Sequence, residues 1–186
     1  MTRRKKIAYA LSKALDSVSW EHRVVAEEGD GETIYADLNV DAGLCDCCRL
    51  TFSIADEDIL LSCSPPHLTV KEVYRGVVAE YFTYVNYYLR WGKWVLSPEG
   101  DVLFRYRKDE ESFATDAVRA LTDLVATAQA IIEHALPGVY KIVTGMWTSR
   151  QAIDAYRDAI LKKTAQATTG LCLRPSDYTT NDAKGI

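Results

Sequence analysis

The chain has 186 residues, a net charge of −4, and a composition that is 48% hydrophobic and 26% charged. That is enough chain for one domain with a real core, and it is too apolar for disorder. Dispersed basic residues in a mildly acidic chain argue against a nucleic-acid binder, and no run approaches the roughly 20 apolar residues of a membrane-spanning helix.

Residues 4–18 place Ile7, Ala10, Leu11, Ala14, Leu15 and Val18 at helical spacing, so the chain opens with an amphipathic helix. The basic run Arg3–Lys6 ahead of it is not followed by a signal-peptide pattern, because Lys13 and Asp16 break the apolar stretch. A cytoplasmic location is expected. From Trp20 the period becomes two. Segment 20–27 reads as a strand, Gly29-Asp30-Gly31 as a turn, and 32–41 as a half-buried strand in which Ile34, Ala36, Leu38 and Val40 share one face. After a turn near Gly43, Leu50, Phe52 and Ile54 alternate with polar residues, and Ile59–Cys63 makes a further short strand before Pro65-Pro66.

Thr69-Val70-Lys71-Glu72 has the spacing of a capping box and predicts a long helix to about Arg90. A hairpin follows: Lys93–Leu96, a turn at Ser97-Pro98-Glu99-Gly100, and Val102–Arg107. Thr115-Asp116 caps a third helix that Pro137-Gly138 punctuates, with a short helical piece through Val143. Thr148-Ser149-Arg150-Gln151 is a second capping-box match, and it opens a helix over 149–163 that buries Ile153, Tyr156, Ile160 and Leu161. Residues 164–186 are polar, lose periodicity and read as a mobile tail. The whole is one α+β domain over 1–163, an antiparallel meander plus a β-hairpin with packed helices.

The residues around the hairpin carry a resemblance. Val85-Asn86-Tyr87-Tyr88-Leu89, then Gly92-Lys93-Trp94-Val95-Leu96 and Gly100-Asp101-Val102-Leu103-Phe104-Arg105-Tyr106, resemble the central signature of the bacterial YbjN family. The resemblance covers roughly 4–145, with 147–186 as an extension beyond the family core. It implies a fold similar to type III secretion chaperones, usually dimeric, and no enzymatic activity. Members are often labelled sensory-transduction regulators. The expectation is therefore a non-enzymatic, chaperone-like or regulatory protein that binds a protein partner. A secretion chaperone for an effector is the narrower alternative.

No catalytic motif competes with that expectation. His22, His67 and His134 have no nucleophile or carboxylate at a recognisable spacing, and the acidic cluster Asp56-Glu57-Asp58 reads as a solvated turn. Catalytic, cofactor and metal sites are accordingly expected to be absent. Cys45-Asp46-Cys47-Cys48 is the most unusual local feature, and with Cys63 and His67 it offers the alternative of a small metal-binding or redox protein. Cys47 and Cys48 would nonetheless point to opposite faces of a strand. Cys48 then continues the Leu50/Phe52/Ile54 face, leaving Cys45 and Cys47 in a loop or on an exposed face. The fifth cysteine, Cys172, makes the count odd, and reduced, metal-free thiols are expected.

Aromatic residues crowd the end of the long helix. Tyr81, Tyr84, Tyr87, Tyr88 and Trp91 are the candidate partner-binding residues. Stacking on single-stranded nucleic acid would also require a basic groove, which the charge balance does not predict. On a helical wheel the apolar and aromatic positions of that helix span about 220°, far more than the roughly 100° one core face needs. A second layer must cover the excess. It is either a second copy of the chain or the C-terminal helix, and a homodimer is the expected answer.

Overall fold

The computed structural model describes residues 2–26, 32–40, 45–54 and 58–171. The expected turns at Gly29–Gly31 and Gly43, Asp56 and Glu57 of the acidic cluster, and segment 172–186 with Cys172 lie outside the described residues. In chain order the elements are α1 (Arg3–Ser17), β1 (His22–Ala26), β2 (Glu32–Asn39), β3 (Cys47–Ile54) and β4 (Asp58–Ser64), then α2 (Glu72–Tyr88), β5 (Lys93–Leu96) and β6 (Val102–Asp109), and finally α3 (Glu110–Thr115), α4 (Ala117–Val143) and α5 (Ser149–Leu171).

The six strands form one antiparallel sheet in the order β1-β2-β3-β4-β6-β5. The α+β reading holds: a meander of four strands is extended by the later hairpin, which joins through β4 and β6. The register aligns the apolar positions. Ile34 faces Phe52, and Phe52 faces Leu61. Cys63 faces Phe104, and Phe104 faces Trp94. All six of these side chains are buried. Burying each large apolar side chain is worth about 1.5–3 kcal/mol, so a one-residue slip of any strand would move its whole set to solvent. Of the alternate positions Asp37, Asn39, Arg49, Arg105 and Arg107 are exposed, while Tyr35, Thr51, Leu60 and Ser62 are half-buried. One face of the sheet is therefore core and the other is polar.

The helices cover the core face. α1 lies against β1, β2 and β3, while α2 packs on β5 and α4 on β6. α4 is the hub, touching α1, α2, α3 and α5. Its helix does not stop at Pro137 as expected but runs unbroken to Val143. Pro in a helix interior removes one hydrogen bond. Here Ala135, Leu136, Gly138, Val139 and Ile142 are all buried around it, and that packing holds the helix through the proline.

Two further expectations are corrected. The Thr69–Glu72 capping box does not form: Lys71 is the N-cap and makes no side-chain cap bond. Thr69 instead bridges to Asp101, and the Val70 N–H donates to the Gly100 carbonyl at 2.8 Å, which ties the helix entry to the hairpin turn. The second match behaves as expected. Thr148 N donates to Gln151 Oε1 at 2.9 Å and Gln151 N returns to Thr148 Oγ1 at 3.4 Å. The helix it opens, however, extends past 163 to Leu171. Beyond 163 it runs Thr-Ala-Gln-Ala-Thr-Thr-Gly-Leu, without an apolar stripe, and Ala165, Gln166 and Ala167 are the good helix formers in it.

Candidate functional site

The five aromatic candidates on and after α2 separate into buried and exposed. Tyr81 leaves the candidate partner surface: it is fully buried, and its hydroxyl donates to the Ala135 carbonyl at 2.8 Å. Burial pushes its phenol pKa well above the ordinary range. Tyr84 is half-buried, while Tyr87, Tyr88 and Trp91 are 81%, 58% and 52% exposed. The second layer demanded by the wide aromatic arc is supplied within the chain. α5 lies along α2, with Tyr156 edge-on to Tyr81 at 6.3 Å between ring centroids and Ser149 Oγ donating to Glu80 Oε2 at 2.7 Å.

Where α2 and α5 diverge, an apolar groove of about 280 Å³ opens. Tyr84, Tyr88, Tyr156, Ile160 and Leu161 line it, and Arg157 stands at its rim. The tyrosines brace one another: Tyr84 and Tyr88 lie 5.0 Å apart, as do Tyr87 and Tyr88. Ordered, amphipathic rings of this kind suit a protein interface because little side-chain freedom remains to be lost.

Cys48 is buried in the core, as its alternation predicts, and Cys47 is half-buried; Cys45 lies in the loop before β3, one of its two expected places, but is buried there. The residue before β3 turns its thiol inward, so Cys45 Sγ lies 3.9 Å from Cys48 Sγ and 2.8 Å from the Cys47 carbonyl. Burial, followed by the neighbouring Cys48, pushes the Cys45 thiol up, against a lowering by Tyr140 of α4, whose own phenol burial also pushes up. Hydrogen bonding to Cys63, followed by burial, does the same to Cys48. Thiols so held stay protonated and are poor nucleophiles and poor metal ligands. His67 sits in the exposed turn after β4, at φ 65°. Among the described residues no group of three His, Cys, Asp or Glu side chains is placed to hold a metal ion.

One contact that sequence spacing did not suggest is Ser12 of α1 with His22 of β1, at 2.6 Å between Oγ and Nε2. The other ring nitrogen, Nδ1, is 3.1 Å from the Trp20 carbonyl. Ser12 lies in the middle of a helix whose backbone N–H groups are already bonded, so it has no adjacent donors to hold an oxyanion. The pair works as a strut between helix and edge strand.

The hairpin also assembles charges that composition hides. Arg90, Lys93, Arg105 and Arg107 line one cleft of about 380 Å³ with Leu60, Trp91 and Tyr106, and among the described residues no carboxylate lines it. The available signal was the two-residue spacing of Arg105 and Arg107, which places both on one face of a strand. That Lys93 lies directly opposite Arg105 follows only from the hairpin register.

No protein-family model, no curated protein and no solved structure matches the chain. Among the described residues no helix is long and apolar enough to cross a membrane.

Proposed function

We propose that the protein is a non-enzymatic, protein-binding protein of the YbjN type, chaperone-like or regulatory, cytoplasmic, and acting as a homodimer. One observation carries the reading. After α5 has covered one flank of α2, Tyr87 and Tyr88 still stand exposed at an apolar groove. A lone exposed aromatic is ordinary, but a braced cluster next to a groove is the pattern of an interface. The one-sided helical cover of an antiparallel sheet is compatible with the fold that the YbjN resemblance implies. A mid-helix Ser12 and protonated, buried thiols give little support to hydrolytic or redox chemistry.

The test is light scattering at micromolar concentration. The 20.8 kDa chain should run at twice its mass, and Tyr87→Glu or Tyr88→Glu should return it to a monomer. A monomeric parent would sink the homodimer. A dimer indifferent to both substitutions would place its interface elsewhere.

A further inference from the structure

We infer that the cationic cleft beside β5 and β6 is a docking site for a short acidic segment of a partner protein carrying one apolar side chain. The inference rests on the protein-binding reading but uses a different surface from the tyrosine groove. Its first support is charge. In a chain of net charge −4, Arg90, Lys93 and Arg105 converge on one cleft that Arg107 also lines, and among the described residues no carboxylate lines it. Among the described residues no salt bridge engages Arg90, Lys93 or Arg105; Arg90 instead lies 5.0 Å from the centre of the Trp91 ring.

The second support is backbone register. Lys93 and Arg105 are direct cross-strand partners, and Arg107 follows two residues later on the same face. Like charges directly opposite destabilise a strand pair, and a carboxylate lying between them reverses the sign of that interaction. The third is the strap that carries Arg90 and Trp91. Gly92 has φ +70°, and a Cβ there would fall 2.4 Å from Phe104 Cζ and 2.8 Å from the Arg105 carbonyl oxygen. Only glycine lets this strap lie flat on β6 and bring Trp91 over the cations. Trp91, 52% exposed, and Leu60 then offer the apolar contact.

Single-stranded nucleic acid fits less well. It needs successive aromatic platforms, and a long polyanion would feel the negative whole-molecule charge.

The probe is a short fluorescein-labelled peptide of Glu and Asp with one central Leu, followed by anisotropy. It should bind the full chain, weaken with salt, and lose about tenfold in affinity in Arg105→Glu and Lys93→Glu. Arg105→Gln should fall between, at unchanged melting temperature, which separates lost charge from lost folding. Absence of binding, equal binding by the charge-reversed chains, or tighter binding of oligothymidylate than of the peptide would overturn the proposal. None of these results touches the Tyr87 and Tyr88 experiment, so the two readings fail separately.

Discussion

Asn86 answers for both outward-facing backbone groups of Trp94 on the edge strand β5. Its Nδ2 donates to the Trp94 carbonyl at 3.0 Å and its Oδ1 accepts from the Trp94 N–H at 2.7 Å. One amide thus mimics a neighbouring strand and closes an edge that could otherwise pair with another chain. Asn86→Ala should destabilise the fold by about 1–3 kcal/mol, because two partly buried backbone groups lose their partner. Asn86→Asp, which keeps the acceptor but sets a carboxylate oxygen against the Trp94 carbonyl, should cost at least as much as the alanine variant at neutral pH. Urea denaturation reads both, and a loss under about 0.5 kcal/mol for Asn86→Ala would mean that water replaces the amide. The arginine three turns earlier on the same helix has a comparable task. Arg75 donates to the carbonyls of Val70, Pro98 and Glu99, fixing the hairpin turn to the entry of α2.

At the scale of elements, the decisive approach is that of α2 to α4. Gly138 is buried, and a Cβ there would lie 2.6 Å from Tyr81 Oη and 2.7 Å from its Cζ. The glycine is kept for space and not for its backbone freedom. Gly138→Ala should cost about 1–3 kcal/mol through overpacking, even though alanine is the better helix former. In a Tyr81→Phe background the first colliding atom is gone while the ring carbon remains. The alanine should then cost less, with a coupling of at least about 0.5 kcal/mol in the double-mutant cycle. Purely additive losses would show that the two helices separate on mutation and do not strain against each other.

For the whole molecule, the buried thiols and phenols set an alkaline limit. Cys45, Cys48, Tyr81, Tyr140 and Tyr156 are all held above their ordinary values of 9.0 for thiol and 10.0 for phenol. Burial is the leading cause for all except Cys48, where the bond to Cys63 comes first. Below the unfolded values these groups are neutral in both states, and their contribution to stability is fully present. As pH rises past about 9 the unfolded chain releases protons that the folded chain retains, so stability falls. The urea midpoint should hold steady to about pH 8 and decline continuously toward about pH 10.5. A flat profile across that window would contradict the burial of these side chains.

Period-two alternation names the core face of β2 and β3, and Cys48 falls on it because strand geometry leaves a residue only two directions to point. The hairpin and the three long helices were legible for the same reason: their signals repeat over a turn or a strand. Local signals failed where a distant segment competed. The Thr69 cap lost to a bridge with Asp101, and Pro137 lost to the packing around α4. The short helix α3 was missed because its signal is a single cap, Asp109 accepting from Ser112 at 2.8 Å, without a period. The wide aromatic arc of α2 required a second layer, but only tertiary structure could say that α5 supplies it and that Tyr81 is core while Tyr87 is surface. The cationic cleft was equally hidden, since Leu60, Arg90, Lys93 and Arg105 come from three separate stretches of chain. A sequence fixes which faces must be buried, because periodicity is local. Which surfaces meet is decided by packing between segments far apart in the chain.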